Sequence, residues 1–430
     1  MTSSGRRKGG YLTSTGDSMT DVLPQASVTS AAPTAPAEGT KRLVSPFERL
    51  GLSGRPLRTA NWLGVVVGVY VLITAVELIG SGFKVATGGT AESLFAFAAN
   101  PFVALMVGVL FTAATQSSST TTSVTVGLVA GGLPMSIAIP MLMGANIGTT
   151  LTNTLVSLGM VRDKESFRRA FSAATVHDFF NLIAVAIFLP LELAFGVLQR
   201  SSAWLADASS GSDGGFVATI FSGLGTVVDT LTEPLADLLA WSTSFLPGAW
   251  HGVAMIVLGI GLILAVINWL GRLLKVLMVG RAAEVLHASV GRGPLTGIAS
   301  GAAMTVMVQS SSTTTSLMIP LAGSGTFSLK QIYPFTVGAN IGTTITALIA
   351  AFAFTGVEGT LALQAAYVHL LFNIFAALVV FGMPLLRQLP LRGATWLGNV
   401  AATNKLWAAA WVLGVFVGIP LALIGITTVL

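Results

Sequence analysis

From residue 61 to the C-terminus, long apolar runs alternate with short polar breaks. Runs of this length match spanning helices, which need about 20 apolar residues. The pattern predicts helices over about 62–80, 135–160, 170–196, 252–271, 331–355, 361–386 and 406–428. Two further apolar stretches, 101–133 and 294–324, are interrupted in their middles by "TQSSSTTTSV" at 115–124 and "VQSSSTTTSL" at 308–317. The apolar arms on either side are too short to span. Each is expected to form a re-entrant hairpin or a broken helix with its polar run near mid-membrane, where non-helical backbone is tolerated only inside protein or beside a water-filled cavity.

The two polar runs belong to a longer repeat. Gln116 matches Gln309 at an offset of 193, "GANIGTT" at 144 matches 338 at 194, and "VHDFFN" at 176 matches "VHLLFN" at 368 at 192. Three motifs in one order at nearly one offset mark an internal duplication. The expected fold is an all-α polytopic membrane protein of two inverted repeats, each carrying a "QSSST" motif. Residues 1–60 are expected to be a disordered cytoplasmic tail. Repeat 1 covers 61–200, an extracellular linker loop 201–250, and repeat 2 251–386; 387–430 holds an interfacial segment and a last membrane helix.

Composition agrees with a membrane protein. Of 430 residues, 53% are hydrophobic and 9% charged, where soluble domains carry about 25% charged residues. Mean hydropathy is +0.81. There is no cysteine, which excludes disulfides and thiolate chemistry. Four histidines, no HExxH and no GxxxxGK[ST] leave little room for an enzyme or an ATPase. Nothing indicates a nucleic-acid partner.

Charge placement sets the expected orientation. The tail, 162–169 and 271–293 are net basic, and 200–250 is acidic. Basic ends favour the cytoplasm, so the tail is expected inside and the acidic stretch outside. Three crossings per half then invert the second half, and the two polar tips can meet at mid-membrane. The same count puts the C-terminus outside.

Each polar run holds a glutamine and seven hydroxyls, and so many donors and acceptors in hydrocarbon need partners. Helix packing and back-bonding to the preceding turn are the structural alternatives. Hydroxyls and free N–H groups at a broken helix end can hold an oxyanion without a fixed positive charge. No Arg or Lys lies within either run, so bound cations are expected to supply the positive charge. The glycines of "GANIGTT" form GxxxG, a packing signal, while Asn146 and Asn340 are expected to line or brace the cavity. His177 with Asn181 and His369 with Asn373 share helix faces and suit interhelical hydrogen bonds. Asp178, replaced by Leu370 in the second half, is an ionisable group inside the membrane and is expected to help bind sodium.

The paired "QSSST", the paired "GANIGTT", "FRRAFSAATVHDFFN" at 167–181 and "LTEP" at 231–234 resemble the type II sodium–phosphate cotransporter family over roughly 60–385. The resemblance implies sodium-driven import of inorganic phosphate by alternating access, with sodium as coupling ion and no cofactor. It implies phosphate contacts from Gln116, Ser117, Ser118, Ser119, Ser310, Ser311 and Ser312. It implies sodium contacts from Gln309, Ser310, Thr313, Thr343, Asp178, Asn181 and Asp163, with Thr346 a weaker candidate. Asp178 matches the aspartate of electrogenic members, and one surplus positive charge couples transport to voltage by about 2.3 kcal/mol per 100 mV. Animal members carry a long disulfide-bonded loop between the halves. The short cysteine-free stretch here points to a bacterial inner-membrane protein. Three alternatives remain at this stage: the same fold moving another oxyanion or exporting phosphate, a non-transporting sensor or scaffold, and a passive channel.

Overall fold

Two backbone breaks organise the structure, and both fall where the polar runs begin. In the computed structural model, which describes residues 44–88, 100–210, 216–289 and 292–429, every regular element is helical. The first half contains α1 (Gly54–Thr87), α2 (Pro101–Thr115), α3 (Ser118–Ala130), α4 (Met135–Gly148), α5 (Leu151–Leu158) and α6 (Lys164–Phe195). Helices α7 (Val197–Ser210) and α8 (Phe216–Trp241) follow. The second half contains α9 (Ala249–Ser289), α10 (Pro294–Val308), α11 (Ser311–Ser316), α12 (Met318–Gly323), α13 (Leu329–Ala351) and α14 (Gly356–Ala376). The chain closes with α15 (Pro384–Thr403), α16 (Leu406–Leu413) and α17 (Ile419–Val429).

Among the described residues, seven helices are long and apolar enough to cross a membrane, with α4–α5 and α16–α17 each counted as one. They fall on the seven apolar runs read from the sequence. Helices α2 and α10, at 15 residues each, are shorter than a span.

Two expected boundaries are corrected. Regular structure begins before residue 61: Ser45 caps a 3-10 turn at Pro46–Leu50, and α1 starts at Gly54. The rest of the expected tail, 1–43, lies outside the described residues. The stretch 201–250 is mostly helix, not loop. Its acidic residues suggested a solvated linker, but Asp229, Glu233 and Asp237 recur every four residues and so share one face of α8.

Small residues set the closest helix contacts, as expected where apolar burial does not distinguish protein from lipid. A Cβ on Gly144 would overlap the Leu105 carbonyl, and one on Gly108 the Met141 carbonyl, so α2 and α4 touch backbone to backbone. The second half repeats this with Gly338 against Ile298 and Gly301 against Phe335, joining α10 to α13. The packing reading of GxxxG is therefore correct for both motifs. Helices α1 and α9 pack against each other through Gly68 on Leu270, Gly82 on Met255 and Gly259 on Ile79.

Candidate functional site

Gln116 and Gln309 are the only non-glycine residues with positive φ among the described residues, at 52° and 54°. Left-handed backbone is uncommon outside glycine, and such strain clusters at functional sites. Each glutamine ends one helix, and the serine after it caps the next. Ser117 Oγ accepts from Thr120 N at 3.1 Å, and Ser310 Oγ from Thr313 N at 3.2 Å. In the first half the chain turns back on itself here. Thr112 and Thr121 share a hydrogen bond of 2.6 Å, although nine residues of continuous helix would separate them by about 13 Å.

The two breaks open on one cavity of about 560 Å³. Gln116, Ser117 and Thr120 line it from the first half, and Ser310, Ser312, Thr313 and Ser316 from the second. Ser117 with Ser310, and Thr120 with Thr313, are matched positions of the duplication. Thr152 adds a hydroxyl from α5. The remaining wall is one face of α9 and carries Asn268, Arg272 and Lys275.

A buried polar network lies beside this cavity. His177 Nε2 and Asn340 Oδ1 are 2.5 Å apart, Asn340 Nδ2 donates to Asn181 Oδ1 at 2.8 Å, and Asn181 Nδ2 donates to the Asn146 carbonyl at 2.7 Å. It links α6 to α13 and α4, and so joins the two halves. Asp178, 1% exposed, accepts from Trp411 Nε1 at 2.7 Å on Oδ2, while Oδ1 has no partner among the described residues. Thr150 lies beside it. Thr149, next in the chain, accepts from the cavity residue Ser312 at 3.4 Å through its carbonyl. The break between α4 and α5 thus has the cavity on one side and Asp178 on the other.

The model of the Na+/Pi-cotransporter family matches residues 71–227 and 262–387. The chain belongs to this family. Among its relatives, sodium-dependent phosphate transport protein 2A of Oryctolagus cuniculus is 34% identical over 436 residues, covering 84% of this chain and 67% of the relative. Protein 2B of Homo sapiens is 30% identical over 446 residues, covering 84% and 64%. The chain thus spans about two thirds of the length of these relatives. No solved structure matches the chain.

In this Na+/Pi-cotransporter family member, the candidate residues divide by place. Gln116, Ser117, Ser310, Ser312 and Thr313 line the cavity. Ser118, Ser119 and Ser311 are buried and are not among its lining residues. Gln309 is held by two hydrogen bonds: Oε1 accepts from Thr346 at 2.9 Å, and Nε2 donates to the Val306 carbonyl at 2.8 Å. Thr343 bonds back to the Ala339 carbonyl within α13. Asp178, Asn181, His177, Asn146 and Asn340 form the neighbouring cluster. His369 and Asn373 do not repeat the His177–Asn181 arrangement: the His369 ring has no partner among the described residues, and Asn373 donates to the His369 carbonyl. Asp163 caps α6 at the exposed surface, accepting from Ser166 N at 2.7 Å; hydrogen bonding from the Ser166 side chain, and then from its backbone N–H, holds the carboxyl below the usual range.

Seven polar cavity residues were not among the site candidates expected from the sequence: Thr115, Thr120, Thr152, Asn268, Arg272, Lys275 and Ser316. Symmetry could have found Thr120, since it matches Thr313. Arg272 and Lys275 were read only as markers of membrane side. Their pairing with Asn268 at intervals of four and three residues was the available signal. The site therefore has fixed positive charge after all, contributed by α9 rather than by the hydroxyl runs.

Proposed function

We propose that the chain imports inorganic phosphate coupled to sodium, by alternating access between two inverted repeats. One observation carries this reading: matched Gln–Ser breaks bring both hydroxyl runs to a single cavity. Ser117, Thr120, Ser310 and Thr313 offer neutral donors and acceptors to the oxyanion. The free N–H groups at the start of α3 add a positive partial charge. Neutral ligands suit a carrier, which must release what it binds. The Asp178 carboxylate, the nearby carbonyls of the α4–α5 break and Asn181 are oxygen ligands for sodium. Because the second half lacks that carboxylate, charge is bound unequally by the two halves. This supports electrogenic transport. Basic α9 and the cavity mouth face the cytoplasm by the positive-inside rule, so the cavity is inward-facing.

The test is uptake of labelled phosphate by liposomes holding the full chain, with an inward sodium gradient and potassium as control. Sodium-dependent uptake, accelerated by an inside-negative potential in the unmodified chain but not in Asp178→Gly, is the expected result. Uptake indifferent to sodium would overturn the coupling and favour a channel. Equal competition by sulfate would overturn the choice of phosphate.

A further inference from the structure

Helix α9 is the greasiest of the spans, and from Ala249 to Gly271 it carries no Asp, Glu, Lys or Arg. Two cations then follow within four residues, and both line the cavity. The cavity-facing residues of α9 are Leu264, Ile267, Asn268, Gly271, Arg272 and Lys275. Their spacing of three and four residues is one continuous helix face. This stripe runs about 16 Å along the axis. It passes from apolar residues to Asn268 and then to the two charges.

We propose that Arg272 and Lys275 form a station for a phosphate-type oxyanion at the cytoplasmic mouth of the cavity, distinct from the hydroxyl-lined breaks: phosphate passes it on leaving the breaks during import and on entering from the cytoplasm during exchange. This rests on the transport reading above. Neither cation forms an ion pair or hydrogen bond with a described residue; the ion pairs there join Lys84 to Glu358 and Glu165 to Arg168 and Arg169. Arg272 is exposed and Lys275 half-buried, so the pair links outside water to the interior. Gly271 has open space where a Cβ would sit, which keeps the passage beside them wide. Positive residues marking the cytoplasmic end of a helix need only reach water or lipid headgroups. These two instead share a cavity wall with Ser117, Ser310 and Thr313. A charged wall in a low-dielectric cleft concentrates counter-ions and raises their entry rate. The hydroxyls beyond it hold the anion without charge, so binding for transport and exchange with the cytoplasm are divided between two places.

The experiment measures sodium-dependent phosphate exchange by the full chain in phosphatidylcholine liposomes, with and without anionic phosphatidylglycerol, with phosphate varied at the cytoplasmic face. Arg272→Gln with Lys275→Gln should raise the phosphate KM about tenfold at low ionic strength. The sodium concentration for half activation should stay unchanged. Added salt should raise the KM of the unmodified chain and leave that of the double variant flat. The charge-preserving pair Arg272→Lys with Lys275→Arg should keep the original KM, which separates lost charge from lost folding. An unchanged KM and salt slope in the double variant would overturn the station. So would an effect confined to anionic liposomes, which would mean that the pair holds lipid headgroups. If the unmodified chain shows no sodium-dependent phosphate uptake, the transport reading itself fails and takes the station with it.

Discussion

Trp411 reaches across 233 residues of sequence to donate its indole N–H to Asp178 at 2.7 Å. The same indole stacks on Phe179, with ring centroids 5.0 Å apart. Helix α16 therefore holds the buried carboxylate of "VHDFFN", whose place in the second half is taken by Leu370. Trp411→Phe keeps the ring and removes the donor. It should lower stability by about 1–3 kcal/mol in potassium, the cost of a buried group left unpaired. Sodium should restore much of that loss if Asp178 is a ligand. Thermal unfolding in sodium against potassium measures both effects. A variant equally destabilised in the two salts would argue against a sodium site at Asp178.

Asn340 is the central member of the His177–Asn340–Asn181 chain, accepting from His177 Nε2 through Oδ1 and donating to Asn181 through Nδ2. Asn340→Ala strands both partners in a buried site. The expected loss is about 3 kcal/mol, from two unpaired groups at about 1–3 kcal/mol each. Denaturation of the purified protein reads it directly. Asn373→Ala, which removes one bond to the backbone of its own helix, should cost less.

Ser117 has two separable duties, capping α3 and lining the cavity. Asparagine is as good an N-cap as serine, whereas alanine costs about 1 kcal/mol. Ser117→Asn should therefore keep stability and lose phosphate transport, because its larger amide intrudes on the cavity. Ser117→Ala should lose both. Comparing uptake with melting temperature separates the duties; normal transport by Ser117→Asn would leave capping as the only one.

Backbone contact between helices makes a sharp test of packing. Gly144→Ala and Gly338→Ala should each destabilise by roughly 1–3 kcal/mol, the usual cost of overpacking. Gly261, with nothing near its missing Cβ, is the control. Gly261→Ala should be neutral or stabilising by up to about 1 kcal/mol through helix propensity. Melting temperatures of the three variants check the ranking.

Asp163 should respond to pH as a helix cap. Its carboxyl sits below the ordinary range because it accepts hydrogen bonds from the Ser166 side chain and backbone N–H. The cap is then complete above the ordinary carboxylate pKa and is lost only as pH falls through the lowered value. Between pH 5 and 8, roughly, this residue should contribute no pH dependence. Asp163→Asn, an equal cap, should leave the sodium dependence of uptake unchanged. A shifted sodium requirement would instead place Asp163 in the transport path.

The seven apolar spans and the duplication were legible in the sequence because both rest on local pattern. Seven apolar runs must be helices, since an isolated segment in lipid can satisfy its backbone only internally. The repeated "QSSST" and "GANIGTT" marked the site by composition alone. Acidic content does not distinguish a loop from a helix face; the four-residue period of Asp229, Glu233 and Asp237 is the signal for α8. What only the tertiary structure decided is which side chains meet. Serines adjacent in the run point to different surroundings, so Ser117 lines the cavity and Ser118 and Ser119 do not. Asp178 finds Trp411, and Arg272 and Lys275 join hydroxyls on segments far from them in sequence. Periodicity fixes the face a residue occupies on its own helix; the neighbour of that face depends on helix packing, here governed by glycines that let backbones touch.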